Sequence, residues 1–211
     1  DRNGELDLNT LGELIDWQLE QETDALVVCA TTGECATLSD GEWEIVVDFT
    51  VQRVNGKIPV IAGIGRNDTR HTLWLNKRAK SLAVQGTLAV TPYYNKTTQT
   101  GLLRHYYTVA DSADLPMLLY NVPSRTGMTV TAETYSALAQ HPNIYGVKEA
   151  SGDFVFSSAG RGRNNLHINI YFRSTFNSNS TKFAFGTRSN DFGGCQNGCS
   201  ISISSNCISI H

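Results

Sequence analysis

The chain has 211 residues with 40 % hydrophobic and 18 % charged content, enough for a domain with a sizeable core and too apolar for a disordered segment. Its formal net charge of −3, with no lysine or arginine block, argues against a nucleic-acid partner. No apolar run approaches the ~20 residues that a membrane-spanning helix needs.

Residues 1–10, DRNGELDLNT, are polar, carry no signal-peptide pattern and read as the continuation of a segment upstream. LGELIDWQLEQ follows, with Leu11, Leu14, Ile15 and Leu19 on one helical face. The first apolar run is DALVVCATTGE, residues 24–34, and a helix is expected after it, opened by Ser39 and Glu42 in capping-box spacing. The same alternation repeats. IPVIAGIG (58–65) precedes DTRHTLWLNKRAKSLAV, GTLAVTPYY (86–94) precedes TGLLRHYYTVADSA, and LPMLLYNVP (115–123) precedes TAETYSALAQH. NIYGVKEA (143–150) is the fifth run. Apolar runs without period-two alternation indicate strands covered on both faces, as in a parallel sheet. Strand starts recur every ~30 residues, the size of one βα unit. The fold class is therefore α/β. CATTGE is not a G-x-G-x-x-G fingerprint, so a closed (β/α)8 TIM barrel is preferred to a dinucleotide-binding sheet.

Residues 154–211 change character, with eleven Ser, eight Asn, one acidic residue (Asp191) and one Leu (Leu166). No helical periodicity survives there, although LHINIYF and SISISSN are strand-like. Residues 1–153 are thus read as barrel units, and 154–211 as the same barrel continued in a doubtful sequence, through a reading-frame slip or misassigned residues. Five cysteines, Cys29, Cys35, Cys195, Cys199 and Cys207, make an odd set that suits a reducing cytoplasm better than a secreted scaffold. Cys195 and Cys199 lack a second ligand pair, so no metal site is expected.

A parallel barrel gathers its chemistry at the C-terminal ends of its strands. Those ends carry Thr31 and Thr32, Gly65, Tyr93 and Tyr94, Tyr120 with Arg125 just beyond, and Lys148. A lysine in a confined apolar mouth has its charged form disfavoured, and a neutral amine attacks carbonyls to give a Schiff base. Tyrosine and threonine hydroxyls relay protons, and arginine presents a planar fork to a carboxylate. Taken singly, each residue also has a structural reading. The lysine is a snorkelling surface group, the tyrosines pack with satisfied hydroxyls, the threonines form a helix-leading turn, and Arg125 pairs with a surface carboxylate.

Four motifs go further. TTGE after the first run, VTPYYNK after the third, LLYNVPSRTG across the fourth and GVKEASGD across the fifth resemble, in order and spacing, the dihydrodipicolinate synthase family. That family comprises pyruvate-dependent class I aldolases and lyases on a (β/α)8 barrel, and the resemblance runs from about residue 4 to residue 153. It implies that Lys148 forms an imine with pyruvate and that Tyr120 is the central proton relay. It implies further that Thr31 links the relay, Thr32 helps hold the pyruvate carboxylate, and Tyr94 completes the relay from the neighbouring subunit of a tight dimer. Arg125 would receive the carboxylate of L-aspartate 4-semialdehyde. The implied reaction is their condensation to 4-hydroxy-tetrahydrodipicolinate, in diaminopimelate and lysine biosynthesis, with no metal or organic cofactor, in a cytoplasmic dimer of dimers.

N-acetylneuraminate lyase, a sister aldolase, keeps the lysine and tyrosine, but its tyrosine motif normally lacks the arginine, so Arg125 favours the synthase. An inactive barrel fragment is the reading from a different class. Ala30 stands where the family often has glycine, and Cys35 where it often has serine. Asp40, Trp43 and His71 replace residues of the family's lysine-feedback site, while Asn67 and Tyr93 match it; weak or absent feedback is implied. By the same resemblance the first barrel strand precedes Asp1, and the isoleucine backbone that helps bind pyruvate falls at Ile201 or Ile203.

Overall fold

A computed structural model describes residues 3–152 and three further strands, Asn169–Tyr171, Thr181–Ala184 and Ser200–Ile203. The helices are α1 (Leu8–Glu20), α2 (Asp40–Val54), α3 (Thr69–Ser81), α4 (Gln99–Asp111), the short α5 (Pro123–Thr126) and α6 (Ala132–Leu138). Strands β1 (Leu26–Val28), β2 (Val60–Gly63), β3 (Gly86–Val90), β4 (Met117–Asn121) and β5 (Ile144–Glu149) alternate with them. With β6 (Asn169–Tyr171) they form one parallel sheet in the order β1-β2-β3-β4-β5-β6. This is the α/β architecture of the (β/α)8 barrel class, seen as an arc of consecutive parallel strands. β7 (Thr181–Ala184) and β8 (Ser200–Ile203) pair antiparallel in a separate two-stranded sheet, with the Ile201 backbone in register with Phe183 and that of Ile203 with Thr181. Cys195, Cys199 and Cys207, and most of the segment 154–211, lie outside the described residues.

Local chemistry sets the helix starts. Ser39 and Glu42 close the expected capping box, the Glu42 amide donating to Ser39 Oγ at 3.3 Å and the Ser39 amide to Glu42 Oε2 at 2.8 Å. Asp7, Asp68, Thr98 and Thr131 cap α1, α3, α4 and α6, each side chain accepting from a backbone amide of the first turn. Asn55 ends α2 in the left-handed region at φ 48°.

Strand side chains alternate between two cores. Outward residues such as Val60, Ala62, Ala89, Met117, Leu119 and Val147 pack with Leu11, Ile15, Trp43, Leu75, Leu102 and Leu138 of the helices. The Trp43 indole N–H donates to the Gly63 carbonyl at 2.9 Å, tying α2 to the sheet. Inward residues Ile61, Leu88, Leu118, Tyr120 and Val122 form a second apolar cluster with Ala25. Gly63 is required where β2 meets the end of β1, because a Cβ there would lie 2.1 Å from the Cys29 carbonyl oxygen. No helix among the described residues is long and apolar enough to cross a membrane.

One buried group makes stability pH-dependent. His105 on α4 is 5 % exposed; its Nδ1 faces Thr69 Oγ1 at 2.8 Å and its Nε2 has no hydrogen-bond partner. Burial holds its pKa down to about 4, against an ordinary 6.5. The unfolded chain therefore takes up a proton that the folded chain refuses. Stability is full above pH 6.5 and falls as the pH drops toward 4, by up to roughly 3 kcal/mol. Thermal melting across that window is expected to show the loss, and His105→Gln to flatten it. A variant with an unchanged pH slope would assign the effect to other groups.

Candidate active site

β4 and β5 run parallel with Tyr120 opposite Lys148 and Asn121 opposite Glu149. Both Tyr120 and Lys148 sit near the C-terminal ends of their strands, on the inward face. The Lys148 Nζ stands 4.2 Å from the centroid of the Tyr120 ring, in cation–π geometry. Tyr120 is 6 % exposed, packed in the inner cluster with Val27, Ala30, Val90 and Ala150 against it. Lys148 is half-buried. An amine is thus brought over an aromatic face at the rim of an apolar interior, beside a phenol that is able to exchange protons.

The other expected residues follow strand ends at the same end of the sheet. Thr31 and Thr32 lie in the tight turns after β1, where the Glu34 amide donates to the Thr31 carbonyl at 3.2 Å and the Cys35 amide to the Ala30 carbonyl at 3.3 Å. Thr31 is half-buried and Thr32 exposed. Tyr94 follows β3 with φ 66°, a left-handed conformation costly for a bulky residue, and is 89 % exposed. It is displayed outward and not gathered with the Lys148–Tyr120 pair inside one chain. Arg125 lies on α5, directly after β4, and is exposed. Gly127 ends α5 at φ 64° beneath the Lys96 side chain. Of the six expected residues, the structure brings Lys148 and Tyr120 into contact and holds Thr31, Thr32 and Tyr94 on loops and Arg125 on α5.

Several features were not expected from sequence. Glu149 is buried behind the sheet and accepts from Asn121, Tyr135 and the Ser151 amide. The signal was present as two polar letters, Asn121 and Glu149, at outward positions of otherwise apolar strands. Arg66, in the loop after β2, is buried, with its Nη1 donating to the Gly65 carbonyl at 3.0 Å. Burial pushes the Cys29 thiol up to about 12 and also raises Cys35, so neither offers a thiolate at neutral pH. Asp40 Oδ1 and His71 Nε2 lie 2.8 Å apart. Among the described residues no three His, Cys, Asp or Glu side chains are grouped to hold a metal ion.

Comparison with known proteins identifies the family and the fold. Residues 1–175 match the Dihydrodipicolinate synthetase family. The chain is 51 % identical over 150 residues to the 4-hydroxy-tetrahydrodipicolinate synthase of Caldicellulosiruptor bescii, covering 71 % of this chain and 51 % of that protein. It is 48 % identical over 158 residues to the enzyme of the same name from Syntrophotalea carbinolica, covering 75 % of this chain and 54 % of that one. The crystal structure of dihydrodipicolinate synthase from Thermotoga maritima superposes with a TM-score of 0.73 at 46 % identity, over 75 % of this chain and 54 % of that chain. The chain spans about half the length of the curated relatives it matches.

Proposed function

The chain belongs to the dihydrodipicolinate synthetase family, and from that premise we propose that it carries the Schiff-base half of a pyruvate-condensing lyase. The observation that carries this reading is the Lys148 Nζ held 4.2 Å over the Tyr120 ring by in-register pairing of β4 and β5. Lys148 attacks the pyruvate carbonyl carbon, water leaves, and the resulting imine draws electrons from the adjacent methyl group. Loss of a methyl proton gives an enamine, whose carbon adds to the aldehyde of L-aspartate 4-semialdehyde; the α-amino group of that substrate then attacks the imine carbon, closing the ring and expelling the Lys148 amine, and 4-hydroxy-tetrahydrodipicolinate is released. Tyr120 shuttles the protons, linked through Thr31, and Thr32 helps hold the pyruvate carboxylate. The outward, left-handed Tyr94 supports its role as a residue lent to the neighbouring subunit of a tight dimer. The partners are then two small molecules and further copies of the chain, in a dimer of dimers working in the cytoplasm. No metal or organic cofactor takes part.

Borohydride reduction in the presence of pyruvate tests the reading. A reduced pyruvate adduct is expected on the peptide containing Lys148, and its absence from well-folded protein would leave only an inactive fragment.

Arg125 supplies a separable prediction. Its exposed guanidinium on α5 is proposed to receive the carboxylate of the aldehyde substrate. Arg125→Ala is expected to raise the KM for aspartate semialdehyde about a hundredfold, the cost of one lost charge-assisted contact, while pyruvate trapping on Lys148 stays nearly intact. Steady-state kinetics with each substrate varied in turn reads the split. Equal loss of both steps would remove Arg125 from this role, and preference for a different aldehyde would point to a sister aldolase.

A further inference from the structure

Strand alternation places Tyr120 and Lys148 inward and their sequence neighbours Asn121 and Glu149 outward, toward α6. Glu149 is 5 % exposed, and its carboxylate is fully engaged. The Asn121 side-chain amide donates to Oε1 at 2.9 Å and to Oε2 at 3.0 Å, the Tyr135 hydroxyl to Oε2 at 2.9 Å, and the Ser151 backbone amide to Oε1 at 2.9 Å. Asn121 in turn accepts from the Val130 amide at 3.3 Å, so one cluster joins β4, β5, the segment after α5 and α6. Among the described residues no cation pairs with Glu149. A buried carboxylate whose donors among the described residues are all neutral is costly beside an apolar residue of similar volume, and fixing a register is the best-attested use of such groups.

The pairing of β4 with β5 has a register to fix. Met117 pairs with Ile144, but Leu118 pairs with Gly146, so Tyr145 is left out of the ladder and bulges outward. Beyond such a bulge the backbone alone specifies the alignment weakly, and a one-residue slip would turn Lys148 to the opposite face. Asn121 opposite Glu149 is the last pair of the ladder and lies immediately after Tyr120 opposite Lys148. Burial first, and the adjacent Glu149 carboxylate second, push the Tyr135 phenol above its ordinary range, which keeps its hydroxyl a donor into the cluster.

We propose that Glu149 is a positioning residue: its carboxylate, clasped by Asn121, Tyr135 and the Ser151 amide, locks the β4–β5 register that sets the Lys148 amine over the Tyr120 ring. The inference rests on the reading of Lys148 as the Schiff-base lysine for its kinetic consequence, and on the structure alone for the lock itself.

Two measurements on the same variants of this chain separate these layers. Amide hydrogen exchange over residues 117–121 and 144–149 reads the lock. Glu149→Ala is expected to accelerate it, and Glu149→Gln, which keeps an acceptor for Asn121 and Ser151, to restore protection. The rate of borohydride-trapped pyruvate adduct on Lys148 reads the consequence. Glu149→Ala is expected to lower that rate about a hundredfold, as roughly an ångström of misplacement does. The pyruvate concentration for half-maximal trapping should change less than about twofold, because the carboxylate touches no substrate. Glu149→Gln should recover most of the rate. If Glu149→Ala does not fold, Tyr135→Phe removes one donor and is expected to cost roughly tenfold in trapping rate. A wild-type chain that forms no adduct overturns the Schiff-base reading while the exchange data still judge the lock. Unchanged exchange in Glu149→Ala, or an unchanged trapping rate in a folded variant, overturns the positioning role.

Discussion

Lys148→Arg is expected to abolish covalent capture of pyruvate and to lower condensation by at least about three orders of magnitude, with the fold retained. Arginine is the informative replacement because it preserves most of what the lysine does structurally. Its stem fills the same apolar rim, and its guanidinium keeps a cation over the Tyr120 ring, 4.2 Å from the present amine. A guanidinium does not give up its proton at any pH a protein tolerates, so it has no lone pair to offer a carbonyl carbon. Borohydride trapping with peptide mass analysis, alongside a melting curve, separates chemistry from stability. A rival amine is Lys96, on the loop after β3, whose side chain packs over Gly127. An adduct that persists in the Lys148→Arg chain and maps to Lys96 would relocate the reactive amine and end the assignment.

The layout of the fold was legible because it depends on local rules. Each apolar run contains a strand, each amphipathic stretch a helix, and Ser39 with Glu42 announced a capping box that the structure closes. Strand ends were less legible. The run at 24–34 yields only Leu26–Val28, since Cys29 turns to φ 51° and breaks the ladder, a conformation that no apolar pattern reveals. Tyr120 and Lys148 stood out singly, as polar tips on buried strands. Their contact was expected from the family resemblance and not from any pattern in the residues, because it depends on a register that skips Tyr145, and a bulge leaves no periodic trace. Glu149 was hidden by the opposite effect. A carboxylate beside a lysine reads as a solvated charge unless the outward face is known to be covered, and α6 covers it through Tyr135. Tyr94 was readable as a motif letter, but its 89 % exposure emerges only from the left-handed backbone that displays it.

Tyr120→Phe gives the second large effect and isolates the phenol from the ring. The ring is buried in the inner cluster with Leu88, Leu118 and Val122, and its face carries the Lys148 amine. Phenylalanine keeps both contacts. Alanine would open a cavity costing about 3–5 kcal/mol and blur chemistry with unfolding. With the hydroxyl gone, Lys148 still attacks pyruvate, and prolonged borohydride treatment is expected to reach the same final extent of adduct as the unaltered chain. Each later step needs a proton delivered or removed beside the imine: loss of water, loss of the methyl proton, and capture of the new alkoxide. Turnover of pyruvate with aspartate semialdehyde is therefore expected to fall by about two to four orders of magnitude, the usual contribution of a positioned acid–base group. The decisive quantity is the gap between adduct extent and turnover. Loss of both in parallel would mean that the hydroxyl holds the lysine in place. A variant that turns over at the unaltered rate would mean that water or another hydroxyl moves the protons, and that Tyr120 contributes only the aromatic face on which the amine rests.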